Sequence, residues 1–139
     1  MPPKAILFDL DGTLTDNRVG ITGGCMAAQK AMGLPVSARE ELYCFIGPPL
    51  VEAFMEKWDL TRAQALEALA HYRAYYEKQG IFENVPYAGI HSLLTRLKEA
   101  GARLYVATSK PEPSSRISCL CASIKRSLQN RLLRCGGIL

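Results

Sequence analysis

Asp9 and Asp11 stand two apart at the end of a short apolar run, and Gly12, Thr13, Leu14, Thr15 and Asp16 follow them. Two carboxylates at that spacing can divide a phosphoryl transfer between them. One can attack phosphorus and carry the phosphoryl group as an acyl phosphate. The other can protonate the departing oxygen and later deprotonate water. Carboxylates this close repel, so a hard cation such as magnesium is expected between them, where it would also offset the charge of the phosphate. Without that chemistry the same residues make a strand-end turn with a helix cap, since Asp-Gly and Thr are turn formers in their own right. The whole string from Phe8 to Asp16, set after an apolar run, favours the chemical reading.

The surrounding pattern says how these residues are positioned. Ala5-Ile6-Leu7-Phe8 reads as a buried parallel strand. Ligand sites in open parallel sheets lie beyond the carboxyl ends of strands, and Gly12 lets the chain turn tightly there. From Gly20 the period becomes helical, through Ile21, Cys25, Ala28 and Met32, with Gly33 and Pro35 as the stop. Ser37 to Glu40 has capping-box spacing and opens a short helix through Leu42 and Phe45. Pro49 suits the first turn of a helix reaching Trp58. Thr61 to Gln64 repeats the capping-box spacing and opens a long helix closed by Gly80.

After this helical stretch the α/β pattern resumes. Ile90, Leu93, Leu94 and Leu97 form one helix face, and Arg103–Thr108 is a second strand ending in Thr108, Ser109 and Lys110. The expected fold class is α/β. A parallel-sheet core is built from residues 1–16 and 83–112, with a helical domain inserted over 17–82.

Charge is unevenly placed along the 139 residues, which carry a net +4. Residues 1–112 hold all 13 acidic residues and 12 of the 17 basic ones, whereas 113–139 hold Arg116, Lys125, Arg126, Arg131 and Arg134 and no acid. Such asymmetry can mark a tail for nucleic acid or anionic membrane, or segments of different history. The tail has no aromatic residue and no base-reading motif, which argues against nucleic acid. No apolar run is long enough to span a membrane, and Met1-Pro2-Pro3-Lys4 does not begin a secretory signal, so a cytoplasmic location is expected.

The cysteines and histidines read blandly. Cys25 and Cys44 read as small buried apolar residues. Cys119, Cys121 and Cys135 lack a fourth ligand or a nearby histidine for zinc, and an odd count without a secretory signal argues against a disulfide framework. His71 and His91 have no ligand partner at helical spacing and read as surface or capping residues.

The string around Asp9 and Asp11 resembles the first motif of the haloacid dehalogenase superfamily, and Leu104-Tyr105-Val106-Ala107-Thr108-Ser109-Lys110-Pro111 resembles its second. The insertion resembles that family's helical cap. Within it, Phe45-Ile46-Gly47-Pro48-Pro49-Leu50, Arg73-Ala74-Tyr75-Tyr76 and Gly80-Ile81-Phe82-Glu83-Asn84 are similar to the phosphoglycolate phosphatase-like and nucleoside 5′-monophosphatase-like hydrolases. The resemblance covers about residues 4–112.

It implies that Asp9 is the nucleophile and a ligand of Mg2+. Asp11 would be the general acid/base, with its backbone carbonyl also on the metal. Thr108 and the Ser109 backbone would bind the phosphoryl group. Gly47, Pro48 and Arg73 would close over the leaving group and select the substrate. A solvated, partly packed helix face is the competing reading for Arg73, Tyr75 and Tyr76. The implied activity is hydrolysis of a small phosphorylated metabolite through an aspartyl phosphate. Phosphoglycolate is the first substrate and a nucleoside 5′-monophosphate the second.

After Glu112 the resemblance stops. The family continues with a helix, the lysine of a third motif and the acidic pair of a fourth. Residues 113–139 contain no Asp or Glu, and Lys125 lacks the third-motif context. Three readings compete for this segment: a shifted or mis-spliced reading frame, a basic interaction tail, and a substitute helix. The helix would carry a stripe of Ile117, Leu120, Cys121, Ile124, Leu128 and Leu132.

In each case the first strand lacks the partner that the family places on its second edge. The α/β core is then small, the helical domain better formed, and the chain is expected to be severely impaired as a catalyst. Loss of one preorganised charge stabiliser costs on the order of a hundredfold to a thousandfold. A non-catalytic fragment is therefore the rival class.

Overall fold

In the computed structural model, which describes residues 5–108 and the backbone of 132–134, the apolar run Ala5–Phe8 forms β1. It pairs in parallel with β4 (Arg103–Thr108), Ala5 lying opposite Arg103 and Phe8 opposite Val106. On the far side of β4 runs β5 (Leu132–Arg134), also parallel, with Val106 opposite Leu132 and Thr108 opposite Arg134. A separate two-stranded antiparallel ladder joins β2 (Thr15–Asp16) to β3 (Val85–Pro86).

Two features depart from the pattern expected of the sequence. β1 is not buried: Ala5 is exposed and Leu7 is 56% exposed. Its composition is that of a strand covered on both faces, but Ile6 and Phe8 pack against the core while Ala5 and Leu7, on the opposite face, stay open. Leu132, expected to end a helical stripe, lies in β5 instead. Pairing there satisfies backbone groups that β4 would otherwise leave at an edge. The rest of that stripe, Ile117 to Leu128, lies outside the described residues.

The chain divides into two units, one running to Asn17 and resuming at Asn84, the other spanning Arg18–Glu83. In the first, α4 (Ile90–Glu99) lays Leu94 on the sheet. Leu94 joins Leu10, Leu14, Ala102, Leu104 and Val106 in one buried cluster, with Ile90 and Leu97 packed against it.

The second unit is helical: α1 (Arg18–Ala31), a 3-10 helix over Arg39–Phe45, α2 (Leu50–Trp58), α3 (Arg62–Lys78) and a 3-10 turn at Gly80–Phe82. Thr61 and Gln64 cap α3 reciprocally: Gln64 N–H donates to Thr61 Oγ1 at 3.3 Å, and Thr61 N–H to Gln64 Oε1 at 2.9 Å. The shorter helix starts one residue later than expected. Gln29 engages Ser37 at both its backbone N–H (3.1 Å) and its hydroxyl (3.0 Å), and Glu41 accepts the Ala38 N–H instead (3.2 Å).

Phe54 stacks on Trp58 with centroids 4.3 Å apart, and Phe45 tilts against both rings. Ten buried residues form the cluster here against six in the α/β unit, so among the described residues the helical unit holds the larger core.

Glycine sets the spacing of α1 and α3. A Cβ at Gly20 would overlap the carbonyl oxygen of Gly80, and one at Gly24 would stand 2.6 Å from the Tyr72 ring. Alanine within a helix ordinarily gains about 0.5–1 kcal/mol over glycine. Here the obstruction is backbone, which cannot rotate aside. Gly20→Ala is expected to lose about 1–3 kcal/mol in urea unfolding. A neutral or stabilising result would contradict the close approach.

Burial pushes the Cys25 thiol from its ordinary 9.0 up to about 12, and Cys44 adds in the same direction. The folded thiol thus stays neutral where the unfolded one ionises. Its stabilisation is complete below pH 9.0 and is lost as pH rises toward 12, by at most about 1.4 kcal/mol per pH unit. Unfolding followed between pH 8 and 11 should show a shallower decline in Cys25→Ala than in the wild type. Parallel declines would contradict it.

Candidate active site

The loop that carries both aspartates is organised around one carbonyl. Leu10 O accepts the N–H groups of Leu14 (3.0 Å), Thr15 (3.1 Å) and Thr13 (3.3 Å), and also the Thr15 hydroxyl (3.2 Å). Gly12 N–H returns to Thr15 O at 2.8 Å. The turn needs φ +79° at Gly12, a left-handed conformation in which a side chain is strained. Leu10 and Leu14 are both fully buried and pin the loop to the core. Tyr87 N–H bonds Leu14 O at 3.1 Å and ties the loop to the chain returning from the helical unit.

Asp9 and Asp11 flank the fully buried Leu10. Asp9 is exposed and Asp11 half-buried. The Thr13 hydroxyl reaches toward Asp9 Oδ2 at 3.5 Å, the outer limit of a hydrogen bond. The sequence pattern assigns Thr13 no role, although its place four residues after Asp9 in a tight turn is the signal that could have found it. Asp11 pairs with Thr15 in a parallel bridge that leads into β2.

Thr108 closes β4. Leu104, Val106 and Thr108 alternate as buried residues, so Thr108 lies on the core face of the sheet, 5% exposed. Because Phe8 is opposite Val106, Asp9 and Thr108 both follow that pair at the same carboxyl edge. Arg134 stands level with Thr108 in the backbone register of β5.

Of the expected site residues, Asp9, Asp11 and Thr108 thus share one sheet edge, while Ser109 lies outside the described residues. Gly47, Pro48 and Arg73 belong to the helical unit and are all exposed. Tyr75 and Tyr76 are half-buried.

The donor chemistry of Asp9 and Asp11 suits magnesium, a hard ion that takes one or two carboxylates and completes its shell with water and phosphate. Among the described residues no group of three or more His, Cys, Asp or Glu gathers as a metal site. The Asp9 carboxylate and the Asp11 backbone carbonyl are oxygen ligands of the kind such an ion takes.

Gly12→Ala is expected to destabilise the chain by about 1–2 kcal/mol through the left-handed φ alone, because open space surrounds its Cβ position. Urea unfolding measures this. An unchanged midpoint and slope would contradict the turn geometry.

Comparison with known proteins gives a consistent picture. The model of the haloacid dehalogenase-like hydrolase family matches residues 6–127, running on past Glu112 into the segment where the sequence resemblance is no longer legible. A 5′-nucleotidase of Pseudomonas aeruginosa is 47% identical over 106 residues, which are 76% of this chain and 48% of that protein. A phosphoglycolate phosphatase of Pseudomonas syringae is 32% identical over 119 residues, covering 79% of this chain and 43% of that one. A crystal structure from Clostridium difficile, named only provisionally as a phosphatase, superposes with a TM-score of 0.90 at 36% identity. It covers 96% of this chain and 61% of its own. The chain spans about half the length of the curated relatives it matches. Among the described residues no helix is long and apolar enough to cross a membrane.

Proposed function

The chain belongs to the haloacid dehalogenase-like hydrolases, and on that premise we propose that it hydrolyses a small phosphomonoester through an aspartyl phosphate on Asp9. The observation that carries the reading is the placing of Asp9, Asp11 and Thr108 at one carboxyl edge of a parallel sheet. An Asp9 carboxylate oxygen attacks phosphorus, and the bond from phosphorus to the substrate's alcohol oxygen breaks. Asp11 gives that oxygen a proton. Asp11 then takes a proton from water, whose oxygen attacks the same phosphorus, freeing inorganic phosphate and restoring the Asp9 carboxylate. The Thr108 hydroxyl donates to a phosphoryl oxygen in both steps, with the Ser109 backbone beside it.

Asp9 and the backbone carbonyl of Asp11 would hold Mg2+, which when bound supplies charge neutralisation at the phosphate. Selection of the leaving group falls to the helical unit, with Gly47, Pro48 and Arg73 as its exposed candidates. Phosphoglycolate is the first substrate. A nucleoside 5′-monophosphate is the second reading, favoured by the 47% identity to a 5′-nucleotidase. The reaction takes place in the cytoplasm in this reading.

The test is phosphate release from phosphoglycolate and from adenosine 5′-monophosphate with magnesium. Release by the wild type should fall to background in Asp9→Asn. Asp11→Asn should lower it by about a hundredfold to ten-thousandfold. Equal release by wild type and Asp9→Asn, or none from either, would overturn the proposal.

A further inference from the structure

Arg39, in the 3-10 helix of the helical unit, is fixed against α1 through one end of its guanidinium. Nη1 donates to Val19 O at 2.9 Å and to Thr22 Oγ1 at 2.6 Å. The Thr22 hydroxyl is itself anchored, donating to Arg18 O at 2.7 Å. Both Nη1 hydrogens are thereby used, and Nε and Nη2 keep three N–H donors. Among the described residues Arg39 has no carboxylate partner, although it is only half-exposed. A guanidinium held at one end with its other edge open is a preorganised fork of the shape that takes a carboxylate in two parallel hydrogen bonds.

The neighbours give that edge a defined setting. The Tyr75 hydroxyl lies against Gly23, the residue after Thr22, where an added Cβ would stand 2.6 Å from it. It donates to Glu83 Oε2 at 3.1 Å, and Gln79 Nε2 donates to Glu83 Oε1 at 2.9 Å. Both oxygens of the nearby carboxylate are therefore engaged. Burial and the hydrogen bond to Glu83 push the Tyr75 hydroxyl up, and the Arg39 charge acts weakly the other way. Arg18 places a second guanidinium 5.8 Å from the centroid of the Tyr43 ring, on the same helical element as Arg39. Glu40 and Glu41 share that element as well. Glu41 is engaged with the Ala38 N–H, and Glu40 is exposed.

We propose that the open edge of Arg39 is a binding site for a small carboxylate. The site stands on the helical unit alone. It rests on the phosphatase reading only in naming one source of the carboxylate, a phosphorylated hydroxy acid whose leaving group carries it; a free carboxylate is the other source. In either case the site prefers an anion over the neutral sugar of a nucleoside.

Phenylglyoxal labelling of the full 139-residue chain, read at Arg39 by mass spectrometry, tests this on the wild type. Glycolate is expected to slow labelling at Arg39, while ethylene glycol and adenosine leave it unchanged. No protection by glycolate, or equal protection by the neutral compounds, would overturn the proposal. Calorimetric titration with glycolate should show affinity about tenfold or more weaker in Arg39→Gln. The labelling result stands even if that variant fails to fold.

Protection by phosphoglycolate at lower concentrations than glycolate, with none from ethyl phosphate, assigns the site to the substrate. Equal potency of glycolate and phosphoglycolate assigns it to a free carboxylate. Glycolate should protect Arg39 in Asp9→Asn as well. A failed hydrolysis assay with intact protection would thus remove the function proposed above and leave this site standing.

Discussion

The parallel pairing of β1 with β4 governs what the α/β unit can present. With Phe8 opposite Val106, the next residues on both strands reach the same edge, and these are Asp9 on one and the approach to Thr108 on the other. A slip of one residue would turn Thr108 off the buried face that Leu104 and Val106 define. The loop beyond β1 adds a second constraint. By gathering four donors on the Leu10 carbonyl and burying Leu10 and Leu14, it fixes where the two carboxylates emerge. Position, rather than any unusual residue, is what the fold contributes to the chemistry.

β1 is apolar throughout, yet among the described residues it has one strand neighbour, and Leu7 faces outward. β5 covers the far side of β4 and leaves β1 as it was. Apolar strand edges are costly to leave open because they invite pairing with other chains. The helical unit is built differently, around stacked Phe45, Phe54 and Trp58 and around helices brought close by glycine. Its stability does not depend on completing a sheet.

Features whose cause is local in the chain are legible in the sequence. The Gly12 turn, the reciprocal cap of Thr61 and Gln64, and the strand run ending at Thr108 each follow from residues a few positions apart. Features decided by distant partners are not. Ser37 has the spacing of a capping residue, but Gln29 on the preceding helix claims it, and the helix begins one residue on. The meeting of Gly20 with Gly80 leaves no local mark, since each glycine alone reads as a weak helix position or a stop. Leu132 satisfies a helical period, yet an available strand edge decides its conformation. Arg39 has the look of an ordinary surface cation, because nothing near it in sequence shows that Val19 and Thr22 hold one end of it.

In the proposed reaction Asp9 forms a covalent bond to phosphorus, and that bond can be trapped. An acyl phosphate is reduced by borohydride to an alcohol, whereas a free carboxylate is not. The full chain, mixed with phosphoglycolate and magnesium, quenched in acid, reduced with borohydride and mapped by peptide mass spectrometry, should show the reduced residue at position 9 alone. Reduction at position 11 or elsewhere, or none in a sample that has released phosphate, would contradict the assignment of Asp9 as the nucleophile.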